Sequence, residues 1–201
     1  LEKWPDVALM SDEIYSEMLY GGRQHTSLLR YPSIADRLIM LDGWSKTYAM
    51  TGWRMGYAVW PKALAEHATR LAINCHSCVN AAAQWAGIAA LKGPKDDVAK
   101  MMKAFDERRT IIVRELNSLP GFSCVDPHGA FYTFPNITKT GITSKKLELA
   151  LLEEAGVAVI AGTSFGSYGE GYIRFSYANS VDKILEATGR IRGWLTEKKV
   201  A

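Results

Sequence analysis

The side chains with the greatest chemical reach in this chain fall in two short segments. The first, Ser11-Asp12-Glu13-Ile14-Tyr15, carries a carboxylate with a phenol three residues on. The second opens with Ser45-Lys46 and carries Arg54 eight residues past the lysine. A lysine amine can condense with an aldehyde to a Schiff base if its surroundings supply the neutral amine. A buried carboxylate can keep a ring nitrogen protonated, which turns a pyridine ring into an electron sink. A phenol can hydrogen-bond a ring oxygen, and an arginine can grip a phosphate through two parallel bonds. Singly, each residue has an ordinary explanation: a strand-end Asp caps a helix, a Lys is a solvated charge, an Arg pairs with a carboxylate. Together they meet the protein-side requirements of pyridoxal 5′-phosphate, whose mark is a lysine Schiff base with an acidic or basic partner for the pyridinium.

Such residues must be delivered by rigid elements, and the apolar runs say which. Residues 7–10 and 37–41 are short apolar runs that end in polar groups, and residues 56–60 are a third run stopped by Pro61. These read as buried strands, and in open α/β sheets ligands bind beyond the carboxyl ends of strands. The first strand thus delivers Asp12 and Tyr15, and the second delivers Ser45 and Lys46. Helical patterns follow over 61–72 and 80–92, the second ended by Gly93-Pro94, where a domain boundary is expected. Beyond it, 95–118 reads as one long amphipathic helix, with strands expected at 122–125, 130–134, 157–160 and 172–176. Ser144 is expected to cap a helix running to about Ala155, with Gly156 at its C′ position, and 181–196 forms a closing helix. The fold class expected is α/β in front, with a buried, mainly parallel sheet, followed by an α+β part.

Composition narrows the classes. Of 201 residues, 48% are hydrophobic and the net charge is +3, which is too apolar for a disordered chain and too mild for a nucleic-acid binder. No apolar run reaches the roughly 18 residues of a membrane span, and the first residues do not have the pattern of a signal peptide. Three cysteines, Cys75, Cys78 and Cys124, make no disulfide framework and fit a reducing, cytoplasmic compartment. Cys75-His76-Ser77-Cys78 has no second ligand pair at metal spacing, so no metal site is expected.

The two chemical segments resemble the signatures of fold-type I, class I/II aminotransferases. Ser45-Lys46-Thr47-Tyr48-Ala49-Met50-Thr51-Gly52-Trp53-Arg54-Met55-Gly56-Tyr57 resembles the family's lysine-attachment pattern at consecutive positions. Pro127-His128-Gly129-Ala130-Phe131-Tyr132 resembles its P-x-G-A-F-Y strand pair, and Arg174-Phe175-Ser176-Tyr177-Ala178 its C-terminal strand. The resemblance implies that Lys46 forms the Schiff base and shuttles the substrate's Cα proton. It implies that Asp12 pairs with the pyridinium nitrogen, Tyr15 bonds the ring oxygen and Arg54 binds the phosphate. Arg174 would hold the substrate α-carboxylate bidentately; its ordinary alternative is a surface ion pair. The implied reaction moves an amino group between an α-amino acid and a 2-oxo acid, in an enzyme that is a homodimer at full length. Carbon–sulfur or cyclopropane-forming lyase chemistry uses the same scaffold, as does the ligand-sensing domain of certain transcription regulators, so fold and cofactor leave the reaction type open.

Two departures qualify the match. Many members carry a serine three residues before the lysine, where its hydroxyl reaches the phosphate; here that residue is Gly43, and Ser45 is the candidate substitute. The family's phosphate-cradling turn, its ring-stacking aromatic and its N-P-x-G segment have no counterpart before Asp12. The expectation is therefore a C-terminal portion of such an enzyme, with 1–93 from the cofactor-binding large domain and 94–201 as the small domain. By themselves these 201 residues should show little or no transamination when supplied with an amino acid, 2-oxoglutarate and pyridoxal phosphate. Turnover near that of a full-length homologue, measured as oxo-acid formation, would contradict this.

Overall fold

The computed structural model describes residues 3–199. Contacts divide the chain into two compact units, Leu1–Ala99 and Lys100–Ala201. The first contains strands β1 (Leu9–Asp12), β2 (Leu38–Gly43) and β3 (Gly56–Val59), then helices α1 (Lys62–His76) and α2 (Ala81–Lys92). Helix α3 (Asp96–Asn117) lies mostly in the second, with β4 (Tyr132–Thr133), α4 (Ser144–Glu153), β5 (Ile160–Ala161), β6 (Ile173–Ser176) and α5 (Val181–Glu197).

In the first unit the sheet order is β1-β2-β3. β1 and β2 are parallel, with Leu9 opposite Leu38 and Asp12 opposite Leu41. β2 and β3 are antiparallel, with Gly43 opposite Gly56. Both of these glycines are needed for close approach: a Cβ on Gly43 would lie 2.8 Å from the Met55 carbonyl oxygen and 2.9 Å from Gly56 Cα. Only central β2 is substantially buried; Met10 on β1 is 66% exposed, and Tyr57 and Val59 on β3 are exposed too. β1 and β3 are edge strands of this three-stranded sheet, so an apolar run alone did not report their exposure.

Helix α2 presents Ala83, Ala86, Gly87 and Ala90 at helical spacing, a stripe of small residues that packs with Met50, Met55, Trp44 and Tyr48. The Trp44 indole N–H donates to the Gly87 carbonyl at 3.1 Å. Asn80 caps the helix start, its side chain accepting from Ala83 N–H. At the other end Lys95 donates to the carbonyls of Ala90 and Leu91 and to the Tyr48 hydroxyl, 3.0 Å away. A cation at the last turn complements the helix dipole, and here it also ties that turn to the loop that carries Lys46.

The second unit packs α3, α4 and α5 with a sheet of order β4-β6-β5, all pairs antiparallel. Its core collects Ile112 and Leu116 of α3, Leu147 and Leu151 of α4, Ile173 and Phe175 of β6, and Ile184, Ile191 and Leu195 of α5. The stretch expected as a strand at 122–125 contributes only a bridge between Ser123 and Asn136. On the opposite edge of this stretch the Asn117 amide bonds both the N–H and the carbonyl of Cys124, so a side chain rather than a second strand takes those groups. Ser144 is not the cap expected of it. It is the first residue of α4, fully buried, and its hydroxyl accepts from Gly171 N–H at 2.9 Å and Tyr172 N–H at 3.2 Å. Its own N–H donates to Glu170 and holds that carboxyl below its ordinary range. This knot anchors the chain as it enters β6.

The cysteines separate by environment. Burial, with Asp126 nearby, pushes the Cys124 thiol up to about 11, whereas Cys75 and Cys78 are exposed. Since the thiolate is the reactive form, a maleimide at neutral pH should label two thiols of the folded chain rapidly. The third should react only after denaturation, and peptide mass spectrometry should identify it as Cys124.

Candidate active site

The candidate site begins where β1 ends. Asp12, the last residue of the strand, is exposed, and its Oδ1 accepts from Ile14 N–H at 3.2 Å. That bond makes a short turn of the next residues, which continues through Ser16 N–H to Glu13 carbonyl and Met18 N–H to Tyr15 carbonyl. The next residue, Glu13, points inward and is only 6% exposed. Its carboxylate accepts from Leu28 N–H at 3.0 Å and the Ser11 hydroxyl at 3.1 Å, and pairs with His25 Nε2 at 2.9 Å. Burial pushes the Glu13 carboxyl up, but the bonds from Ser27, Leu28, His25 and Ser11 outweigh it and hold the group below its ordinary value. The turn with Asp12 and Tyr15 is thereby clasped to residues 25–28.

β2 ends at Gly43, and a tight turn follows. Tyr48 and Met50 N–H groups return to the Trp44 carbonyl, Ala49 N–H returns to Lys46, and Ala49 takes a left-handed φ of 52°. Lys46 is half-buried, with its Nζ 5.8 Å from the centroid of the Tyr15 ring. Two residues read from separate segments thus meet beyond the parallel pair. Ser45 is half-buried beside the lysine, and its hydroxyl has no bond among the described residues. No side chain could occupy the position of Gly43 without meeting Met55 and Gly56, so a hydroxyl there would need the β2–β3 pair to move apart.

After a 3₁₀ turn at Thr51–Trp53 comes Arg54, also left-handed at φ 55°. One guanidinium nitrogen donates to the Thr51 carbonyl at 2.9 Å. Arg54 lines an open cleft of about 840 Å³ together with Ala49, Gly52, Trp53, His76, Cys78 and Asn80. The remaining guanidinium donors can take an anion. Nearby, Asp42 accepts from Gly43 N–H at 2.6 Å and from the Tyr57 hydroxyl at 3.4 Å. Burial and the Asp42 charge hold the Tyr57 phenol above its ordinary range.

Arg174 lies in the other unit, on β6, with buried Ile173 and Phe175 on either side. Alternation turns it to the opposite face from those neighbours. Its guanidinium carbon sits 4.5 Å from the Tyr132 ring centroid and 4.4 Å from that of Phe165. No carboxylate pairs with it among the described residues. The sequence reading had not singled out Glu13, Asp42 or Phe165. The inward acid beside an outward one in Asp12-Glu13 was a usable signal, since strand alternation puts neighbours on opposite faces.

The first unit thus carries an amine, a phenol and a carboxylate beyond two parallel strand ends, and the second unit carries, on an antiparallel strand, a guanidinium stacked on two rings with no carboxylate partner among the described residues. The chain belongs to the aminotransferase class I and II family, whose model matches residues 2–191. It is 40% identical to an aspartate aminotransferase of Pyrococcus horikoshii over 196 residues, 96% of this chain and 50% of that protein. It is likewise 40% identical to an aspartate aminotransferase of Geobacillus stearothermophilus, over 94% of this chain and 49% of the relative. Among solved structures, an aromatic aminotransferase from Pyrococcus horikoshii matches with a TM-score of 0.92 and 39% identity, over 98% of this chain and 53% of that one. The aspartate aminotransferase from Rhizobium meliloti matches with a TM-score of 0.89 at 34% identity, over 95% of this chain and 50% of that one. The chain spans about half the length of the curated relatives it matches.

The Glu13 clasp has a pH signature. A carboxyl held below its ordinary value stabilises the fold above the unfolded value of 4.5 and loses that contribution as pH falls through the lowered one. Urea unfolding of Glu13→Gln should therefore show a weaker chain at neutral pH and a flatter loss of stability below about pH 4.5 than the parent. Parallel acid profiles for the two proteins would contradict the clasp.

Proposed function

We propose that this chain supplies the lysine-bearing part of a pyridoxal phosphate-dependent transaminase site, in a protein that moves an amino group between an α-amino acid and a 2-oxo acid. The observation that carries the reading is Lys46 Nζ over the Tyr15 ring, beyond the strand end that also bears Asp12. The donor set fits the cofactor. Asp12 uses one oxygen on Ile14 N–H and has the other without a partner among the described residues. Arg54 spends one donor on Thr51 and keeps the rest. When bound, the cofactor supplies an electron sink for charge developing at the substrate Cα.

In this reading the chain's own residues divide the work. Lys46 would hold the cofactor through Nζ, and its amine would carry the proton to and from the substrate Cα. Asp12 would keep the ring nitrogen protonated, Tyr15 would donate to the ring oxygen, and Arg54 with Ser45 would bind the phosphate. Arg174 grips the substrate's α-carboxylate and so fixes the direction of the Cα–H bond. Residues 1–93 would then be the C-terminal part of the cofactor-binding domain and 94–201 the small domain. The whole protein is read as a cytoplasmic homodimer.

The test does not depend on turnover. The chain is incubated with pyridoxal phosphate, reduced with borohydride and digested for mass spectrometry. The modification is expected on Lys46 at the lowest cofactor concentrations, and Lys46→Ala should lose it. Arg54→Ala should raise the concentration for half-labelling about tenfold, the effect of losing a charge-assisted hydrogen bond. Labelling spread over surface lysines with no preference for Lys46 would overturn the assignment.

A further inference from the structure

The antiparallel register puts Tyr132 opposite Ser176 and Ile160 opposite Arg174. Arg174 and Ser176 are two apart on β6, so Tyr132, Arg174 and Ile160 share one face and Tyr132 is the diagonal neighbour of the arginine. Tyr132 lies against one part of the guanidinium at 4.5 Å. The second ring, Phe165, comes from outside the sheet at 4.4 Å. It sits in the loop that leaves β5, and the base of that loop is pinched. A Cβ on Gly162 would lie 2.1 Å from the Gly169 carbonyl oxygen, and a Cβ on Gly169 would lie 2.0 Å from that of Gly162. Gly162 N–H also donates to Tyr172 at 2.8 Å. The pinch leaves residues 163–168 as a short projecting tip with Phe165 on it, steadied by an edge-on contact with Phe134 at 6.2 Å.

Phe165 is 54% exposed, so its ring covers Arg174 without being part of the core. Aromatic faces hold a guanidinium by attraction to its cation and by stacking on its plane, while consuming none of its N–H donors. An ion pair would fix the plane equally well but would use those donors. We propose that Phe165 and Tyr132 are positioning residues that fix the plane of the Arg174 guanidinium and leave its donor edge open to a planar carboxylate. This rests on the reading of Arg174 as the carboxylate site. The ligand class is a small monocarboxylate group bound through two parallel N–H bonds.

The probe is propionate, titrated into the isotope-labelled chain at constant ionic strength while the Arg174 Nε–Hε resonance is followed. The parent chain should show a saturable shift at this resonance. Phe165→Ala should weaken propionate binding about tenfold, in line with loss of a desolvated cation–π contact. Phe165→Tyr should bind as the parent does, because it restores the ring face, whereas Phe165→Leu should not. The Arg174 Nε–H heteronuclear NOE should fall in the Ala and Leu variants and recover in the Tyr variant, which a general loosening of the unit would not produce. An unchanged backbone amide spectrum checks the fold, and Tyr132→Leu, which removes the other ring, serves as a second variant expected to weaken propionate binding in the same direction. If Phe165→Ala binds propionate as tightly as the parent, the clamp is overturned while the carboxylate reading stands. If the parent's Arg174 resonance does not respond to propionate at all, the carboxylate reading falls and the clamp with it.

Discussion

Parallel pairing of β1 with β2 is the constraint from which the candidate site follows. Two parallel strands present their carboxyl ends at the same edge, so the turns after Asp12 and after Gly43 open toward one place. An antiparallel pair would have sent Tyr15 and Lys46 to opposite edges. The register adds a stagger: Asp12 stands opposite Leu41, and β2 runs on through Asp42 and Gly43, where β3 rather than β1 is the partner. The lysine turn therefore starts further out than the aspartate turn, and the amine meets the Tyr15 ring. The antiparallel β3 closes the other side of β2 through the Gly43–Gly56 contact, which admits no side chain.

Each turn that carries a chemical group is held by groups that have no part in the chemistry. Glu13 ties the aspartate turn to 25–28, and Lys95 ties the lysine turn to the end of α2. In the second unit Ser144 fixes the chain entering β6, and the Gly162–Gly169 pinch fixes the base of the Phe165 loop. Apart from the exposed Lys95, these are buried or close-packed polar and glycine positions, where a wrong residue leaves an unpaired donor or a steric clash. The chemical groups themselves are exposed or half-buried, as groups must be if they are to meet a ligand.

This division explains what could be read in the sequence. Asp12, Tyr15, Lys46, Arg54 and Arg174 stand out because their residue types match known chemistry at short spacings, and the long helices stand out by period and by their Asn80 and Gly93-Pro94 ends. The family was legible from the same segments. The supports were not, because their partners are distant in sequence: Glu13 meets Leu28, Ser144 meets Gly171 and Tyr172, and Arg174 meets Tyr132. A serine ahead of a helical pattern reads the same whether it caps that helix or bonds a remote strand. The two-residue strands β4 and β5 are below the length at which alternation carries a signal. The exposure of β1 was hidden for a similar reason, since apolar content says little about a strand's place in its sheet.

The loop from Lys46 to Arg54 shows how local cost and distant packing combine. Ala49 and Arg54 both adopt left-handed backbone, at φ 52° and 55°, although neither is glycine. Each such residue costs roughly 1–2 kcal/mol, so the loop on its own would relax. The residues next to them, Met50 and Met55, are both buried and pack with Ala83 of α2. A flexible thioether chain can fill an irregular gap where a branched residue would not, and the small-residue stripe of α2 supplies that gap. The two methionines therefore pin the loop at points adjacent to its strained residues, and the strain persists because relaxing it would withdraw both side chains from the core. The direction of the Arg54 guanidinium is then a consequence of α2 being rich in alanine and glycine, on a helix that contributes only Ala83 to the lining of the Arg54 cleft.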